Sequence, residues 1–162
     1  MHPQLETIFD EAENRYLQPE ELTLINQYVN SLPDRLETYR TLRDRELEIM
    51  QQVADQLEAS LPQEPLERLE RSIKNAMLML RYSAIGMLLD DESFVETRLL
   101  DWLSKTNHVH NTQAIDKALF RLLNQRLTQT LTAQQINLIG PQIAKVQLAI
   151  LQQSPELATA GH

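Results

Sequence analysis

The sequence is poor in the residues on which much covalent and metal chemistry depends. It contains no cysteine among 162 residues, which excludes disulfides, thiolate metal ligands, cysteine nucleophiles and cofactors attached through a thioether. Its three glycines and seven prolines are too few for a β-rich or disordered chain. The hydrophobic fraction is 42%, which is ample for one buried core. These counts predict a single helical domain.

Charge and hydropathy exclude further classes. Acidic residues outnumber basic ones by 23 to 15, and binding of nucleic-acid phosphates needs clustered Lys and Arg, so nucleic acid is not an expected partner. The start of the chain is polar and acidic, unlike a secretory or transit peptide. The most apolar stretch, 76–89, contains Arg81 and is shorter than the roughly 20 residues that span a bilayer. We therefore expect a cytoplasmic protein.

Apolar residues recur at helical spacing along almost the whole chain, and no segment alternates as a half-buried strand would. The expected helices cover about 5–16, 19–32, 33–60, 66–89, 94–105, 112–130 and 132–152. The proline at 33 should separate the second helix from the third, and Pro141 should bend or interrupt the last one. Because the helix from residue 66 is apolar on nearly all sides, it should lie at the centre.

A resemblance rests on this central helix and the segment that follows it. The residues are Leu80-Arg81-Tyr82, Asp91-Glu92-Ser93-Phe94-Val95-Glu96, and then Arg98, Leu100, Leu103 and Thr106. They resemble the phycobiliprotein family, which has Leu-Arg, eight variable residues, Gly-Asp-x-Ser, two apolar residues, an acid, and then Arg, Leu, Leu and Thr. The segment 12–17, with Glu21-Leu22 and Arg35-Leu36, is similar to that family's two leading helices. The resemblance covers about residues 5–150.

The resemblance implies an all-α, globin-like helical bundle with two extra N-terminal helices that build a dimer. Residues 1–153 would form one domain, with dimerisation helices in 1–32, a globin-like core in 33–153 and a frayed tail in 154–162.

In the family, an acid on the first helix pairs with an arginine on the partner's central helix, and these positions match Glu11 and Arg81. Tyr16 and Leu17, in the same N-terminal pattern, are expected at that interface. Alternatively Glu11 is a solvated acid and Arg81 lies at the edge of the core. A charge in so apolar a helix nevertheless requires a partner.

The sequence departs from the family where a pigment would be attached. The cysteine that forms the thioether to the linear tetrapyrrole aligns with Ser72, and a serine hydroxyl is a poor nucleophile for that addition. The aspartate that binds the pyrrole nitrogens aligns with Asn75, whereas Lys74 keeps the neighbouring cation. The loop between Pro62 and Ser72 is also shorter than the family's. These changes predict a vestigial site without a covalent cofactor.

Other candidate groups have simpler explanations. His108-Val109-His110 lacks a nearby carboxylate or thiolate and is a weak metal or haem signal. We expect Met77, Met79 and Met87 to belong to the core.

Two further residues of this region have expected packing roles. Gly86 indicates a close helix crossing, because glycine is unfavourable inside a helix. Trp102 should pack at a helix interface and be partly exposed.

These features predict a non-enzymatic protein that acts through protein–protein contacts. The expected role is assembly, regulation or repair of phycobilisome or photosystem complexes in a cyanobacterium. The expected partners are a second copy or a phycobiliprotein-like subunit, together with photosynthetic complex proteins, in the cytoplasm or peripherally at the cytoplasmic face of the thylakoid. Two alternatives stay open: a protein that binds a bilin or chlorophyll-type tetrapyrrole without a covalent bond, and a haem-binding sensor.

Overall fold

The computed structural model describes residues 2–106 and 112–152, and within these ranges the secondary structure is helical without strands. The helices are α1 (Pro3–Glu11), α2 (Pro19–Ser60), α3 (Leu66–Leu89), α4 (Glu92–Thr106), α5 (Gln113–Thr130) and α6 (Ala133–Gln152). The all-α prediction is confirmed. No helix in the described ranges is long and apolar enough to cross a membrane. The expected polar loop with His108 and His110, and the expected frayed tail, lie outside the described residues.

The third helix lies at the centre, as its apolar surface predicts. It packs against α2, α4, α5 and α6, and it contributes Leu69, Ala76, Met79, Leu80, Ala84 and Met87 to the buried core. Met77 is partly buried against the same core, so the three methionines are packing residues. Trp102 of α4 is also partly buried against this core, as expected.

The predicted break at Pro33 is wrong, because α2 runs without interruption from Pro19 to Ser60. Pro33 removes one helical hydrogen bond, to the carbonyl of Val29, but both residues are exposed, so water can satisfy that carbonyl. Contacts on either side of the proline hold the helix in place. The Tyr28 hydroxyl donates to the Leu88 carbonyl at 3.2 Å, and Arg35 donates to the Met87 carbonyl. Both flanks are thereby fixed to the C-terminal end of α3.

The first helix ends at Glu11 instead of Tyr16, the end predicted from apolar spacing. The connector to α2 is held by Arg15, whose two guanidinium nitrogens donate to the Glu21 carboxylate at 3.0 and 2.6 Å. Glu21 also accepts the backbone N–H of Gln18 at 2.8 Å. The hydrogen bond from Arg15 holds the pKa of Glu21 at about 2. Because Glu21 binds both the Arg15 side chain and the Gln18 backbone, the segment between α1 and α2 forms a turn instead of continuing the helix.

The fourth helix begins with a buried aspartate cap. Asp91 accepts hydrogen bonds from the Ser93 hydroxyl and from the Phe94 N–H, the latter at 3.2 Å. Burial by itself raises the pKa of Asp91, but these hydrogen bonds outweigh it and leave the pKa below its usual value. The carboxylate therefore stays charged at the positive end of α4.

The sixth helix runs without interruption through Pro141.

Gly86 marks the close approach of α3 to α4 and α6. A Cβ atom placed on Gly86 would lie 2.6 Å from Val95 Cγ2 and 3.2 Å from Gln142 Oε1. Val95 and Gln142 are themselves buried, so neither can move away freely. The expected close helix crossing is therefore confirmed.

We predict that Gly86→Ala destabilises the protein by about 1–3 kcal/mol, since overpacking a rigid core outweighs the gain in helix propensity. The matched control is Gly140→Ala in α6, where an added Cβ meets nothing within 4 Å. That substitution should stabilise the protein by about 0.5–1 kcal/mol. Urea unfolding of both variants measures the two changes, and stabilisation by Gly86→Ala would contradict the crossing.

Candidate functional site

The residues aligned with the pigment site lie together on the first half of α3 but do not converge on one pocket. Ser72 is only 3% exposed and lies on the helix face of Leu69 and Ala76, which are also buried. Lys74 is exposed and Asn75 is partly exposed. The position that would need to present a nucleophile therefore belongs to the core, while the neighbouring cation faces solvent.

A groove beside Leu69 has acidic side chains in its lining. It is an open groove of about 460 Å³ at the corner between α2 and α3, and its polar lining includes Asp55, Glu58 and Glu64. Its apolar lining comes from Leu61, Pro62, Leu66, Leu69 and Ala59. Tetrapyrroles of the bilin class carry propionate groups, which carboxylates repel. This groove is thus poorly suited to such a pigment.

Arg81, expected to pair with a partner subunit, already has a partner within the chain. Its Nε and Nη2 donate to the two carboxylate oxygens of Glu46 on α2, at 2.8 and 2.9 Å. These hydrogen bonds raise the pKa of Arg81 above its usual value. The Arg81 side chain remains 59% exposed, while that of Glu46 is 20% exposed. The ion pair thus anchors the arginine and still leaves it at the surface.

A shallow groove lies beside this ion pair, between α2 and α3. Its volume is about 130 Å³. Apolar side chains form its floor, and charged ones form its rim; the lining consists of Tyr39, Leu42, Leu80, Ala84, Arg43, Glu46 and Arg81. An apolar floor with a charged rim is the usual composition of a protein-contact site.

The other expected interface residues lie at the surface of the N-terminal region. Glu11, at the end of α1, is exposed, and Leu17 is partly exposed. Tyr16 is 97% exposed, so its ring makes almost no contact with its own chain. The structure thus places all four expected interface residues where a second chain can reach them.

A stripe of exposed apolar residues runs along α2. We define it as Leu22, Val29, Leu36 and Leu47, whose exposed fractions range from 39% to 77%. Seven residues separate the first three in turn, and eleven separate the last two, so each step returns to within about 20° of the same helix face. Such spacing is typical of helices that pack against another helix.

Sequence reasoning missed two features of this surface. The partner of Arg81 is 35 residues earlier in the chain, and no local pattern connects the two residues. The α2 stripe was detectable, because its seven-residue spacing is visible in the sequence. The predicted break at Pro33 divided the stripe between two helices and concealed it.

Metal binding has no support in the described part of the chain, where no three His, Asp or Glu side chains are placed to hold an ion. The pair His108 and His110 lies outside the described residues.

We predict that a cysteine introduced at position 72 is shielded from thiol reagents. Because the chain has no cysteine, Ser72→Cys and Lys74→Cys each give a single reporter. Modification of Cys at the buried position should be at least about 100-fold slower in the native protein than in the denatured one. The exposed position should react at nearly the denatured rate. Equal rates at the two positions would indicate an open pocket at residue 72.

Comparison with known protein families yields a match to the family described as phycobilisome protein, over residues 9–149. Among curated proteins, none matches the chain. The family is structural or light-harvesting, and its members oligomerise with other phycobiliprotein subunits. The match spans most of the sequence and agrees with the all-helical, globin-like architecture, which confirms the resemblance. The chain therefore belongs to the phycobilisome protein family.

Proposed function

We propose that this chain is a pigment-free phycobiliprotein-like subunit that acts through protein–protein contacts in assembling, regulating or repairing phycobilisome or photosystem complexes. The observation that carries the proposal is the row of exposed apolar residues along one face of α2, beside the apolar floor of the α2–α3 groove. Exposed apolar residues with this spacing are typical of a helix that packs against another helix.

The absence of a pigment is supported from two sides. Covalent attachment of a bilin requires a thiolate, and the chain contains no cysteine. The aligned Ser72 is buried in the core, so space for a bound pigment at that position would require the core to open. Family membership together with these two features favours an assembly role over light absorption.

Charge distribution favours pairing with a second copy or a similar subunit. The N-terminal arm, which we define as residues 2–18, carries the exposed acids Glu6, Asp10, Glu11 and Glu13. The surface around the α2–α3 groove carries three exposed arginines, Arg40, Arg43 and Arg81, which pair within the chain with Glu37, Asp44 and Glu46 respectively. A guanidinium group has five N–H donors, more than these pairs use. The acidic arm can therefore still pair with the groove of a second copy in a two-fold contact.

We propose that the protein lies in the cytoplasm, including the cytoplasmic face of the thylakoid, because it would bind phycobilisome subunits there. Within this proposal the subunit is structural, and no enzymatic step is assigned to it.

We predict that Arg81→Glu weakens self-association by about tenfold or more, because it places a negative charge where the acidic arm should bind. The matched control is Arg45→Glu, since Arg45 also forms a two-point ion pair within the chain, with Glu48. Sedimentation velocity over a concentration series measures both. Equal weakening by the two substitutions would show that Arg81 has no specific role in the interface. A wild-type protein that stays monomeric at all concentrations would show that no homodimer forms.

We predict that Val29→Glu weakens the same dimer without lowering the melting temperature of the monomer at low protein concentration, because Val29 is exposed in the α2 stripe. Leu148→Glu on α6 is the control, since Leu148 is similarly exposed but lies on another face of the molecule. The same sedimentation series distinguishes the two. An unchanged dimer in Val29→Glu would show that the stripe is not part of the interface.

An absorption spectrum of the protein purified from a pigment-producing host tests the pigment-free role. We expect no visible bands and a denatured mass equal to that of the bare chain. Visible bands with an unmodified mass would overturn that role in favour of a non-covalent tetrapyrrole carrier. A Soret band alone would indicate a haem-binding sensor.

A further inference from the structure

Asp90 holds an unusual backbone conformation at the end of α3. Its φ and ψ are 48° and 49°, the left-handed region that favours glycine and that aspartate tolerates better than most residues. The turn closes with two hydrogen bonds, from the Asp91 N–H to the Gly86 carbonyl at 2.9 Å and from the Asp90 N–H to the Met87 carbonyl at 3.2 Å. Glycine is the usual residue at this position of such a turn.

The Asp90 side chain has a use that glycine could not supply. Its Oδ2 lies 3.0 Å from Nε2 of His2, the residue that precedes α1. Its Oδ1 lies 3.4 Å from Nη2 of Arg35 on α2. One carboxylate thus joins the N-terminal arm, the long helix and the end of α3. A residue kept in a disfavoured conformation is often kept for such a contact.

His2 depends on this contact for its position. The residue is only 7% exposed, and its ring meets Tyr28 edge-on, with centroids 5.4 Å apart. Its Nδ1 is buried without a hydrogen-bond partner among the described residues. Burying an unpaired ring nitrogen is unfavourable, so the contacts with Asp90 and Tyr28 must offset that cost.

The rest of the corner does not need Asp90. Tyr28 and Arg35 donate directly to the Leu88 and Met87 carbonyls of α3, and the Nε of Arg35 donates to the Ser31 hydroxyl at 2.9 Å. The bonds to the two carbonyls hold α2 against α3 whichever side chain stands at position 90. Loss of the carboxylate should therefore affect the N-terminal arm and spare the core.

We propose that Asp90 is a positioning residue that latches the N-terminal arm onto the end of α3. By holding His2, it fixes α1 with Leu5 and Ile8 buried and with Phe9 and Glu11 facing outward. The latch itself is a property of the isolated chain. Its consequence, that the arm is presented in one orientation to a second subunit, rests on the proposed function.

Asp90→Gly tests the latch because two effects should move in opposite directions. The backbone becomes easier to accommodate, so the melting temperature of the core should stay the same or rise. The arm should loosen, so amides of α1 should exchange with deuterium about tenfold faster or more, while those of α3 and α5 are unchanged. Hydrogen-exchange mass spectrometry resolves the segments, with any purification tag placed at the C-terminal end.

His2→Phe and the double variant separate a latch from simple loosening of the turn. Phenylalanine keeps a ring against Tyr28 but lacks both Nε2 and the unpaired Nδ1, so the coupling between the two changes is what tests the latch. Asp90→Gly should speed α1 exchange in the wild-type background and have no further effect in His2→Phe, because both changes remove one contact. Additive effects, or an α1 that stays protected in Asp90→Gly, would overturn the latch.

Exchange is measured on the monomer at low concentration, so a failed dimer does not affect this test. If the latch is present and Asp90→Gly associates as wild type does, the arm's orientation does not control assembly. If exchange in α1 is unaffected by the substitution, the latch fails while the dimer proposal stands. The two proposals can thus fail separately.

Discussion

Most of the structure depends on how α2 is fixed to the C-terminal end of α3. The last carbonyls of a helix have no partner within it, and here Tyr28 and Arg35 of α2 donate to those of Leu88 and Met87. These contacts keep α2 continuous through Pro33. The continuous helix in turn carries Glu46 to Arg81 and places the α2 stripe along one surface. At the same end of α3, Gly86 lets α4 and α6 approach closely.

Features that depend on neighbouring residues could be predicted from the sequence, whereas features that depend on contacts between distant residues could not. Local periodicity was sufficient for the all-helical fold and the central α3, and a lone glycine indicated the crossing at Gly86. The fate of Pro33 was not predictable, because the bonds that stabilise its flanks reach across 60 and 52 residues. For the candidate site, the sequence predicted that Arg81 needs a partner, but not that Glu46 supplies it within the chain.

Burial of Ser72 changes how the loss of the pigment site is interpreted. A missing cysteine alone could mean that a pocket persists without its covalent bond. In this chain the aligned position packs into the core between Leu69 and Ala76, and the adjacent corner groove is lined by carboxylates. A small hydroxyl in a close-packed helix face suits core packing better than ligand binding. The fold is shared with the family, but fold alone does not carry over the family's chemistry.

The ion pair between Arg81 and Glu46 does not prevent Arg81 from taking part in an interface. A guanidinium group has five N–H donors in a planar fork, and the bonds to Glu46 use only Nε and Nη2. An incoming carboxylate can bind the remaining edge. The long side chain is already held in place, so less conformational entropy is lost on binding than for a free arginine. The intrachain bond therefore preorganises the arginine for a second acid.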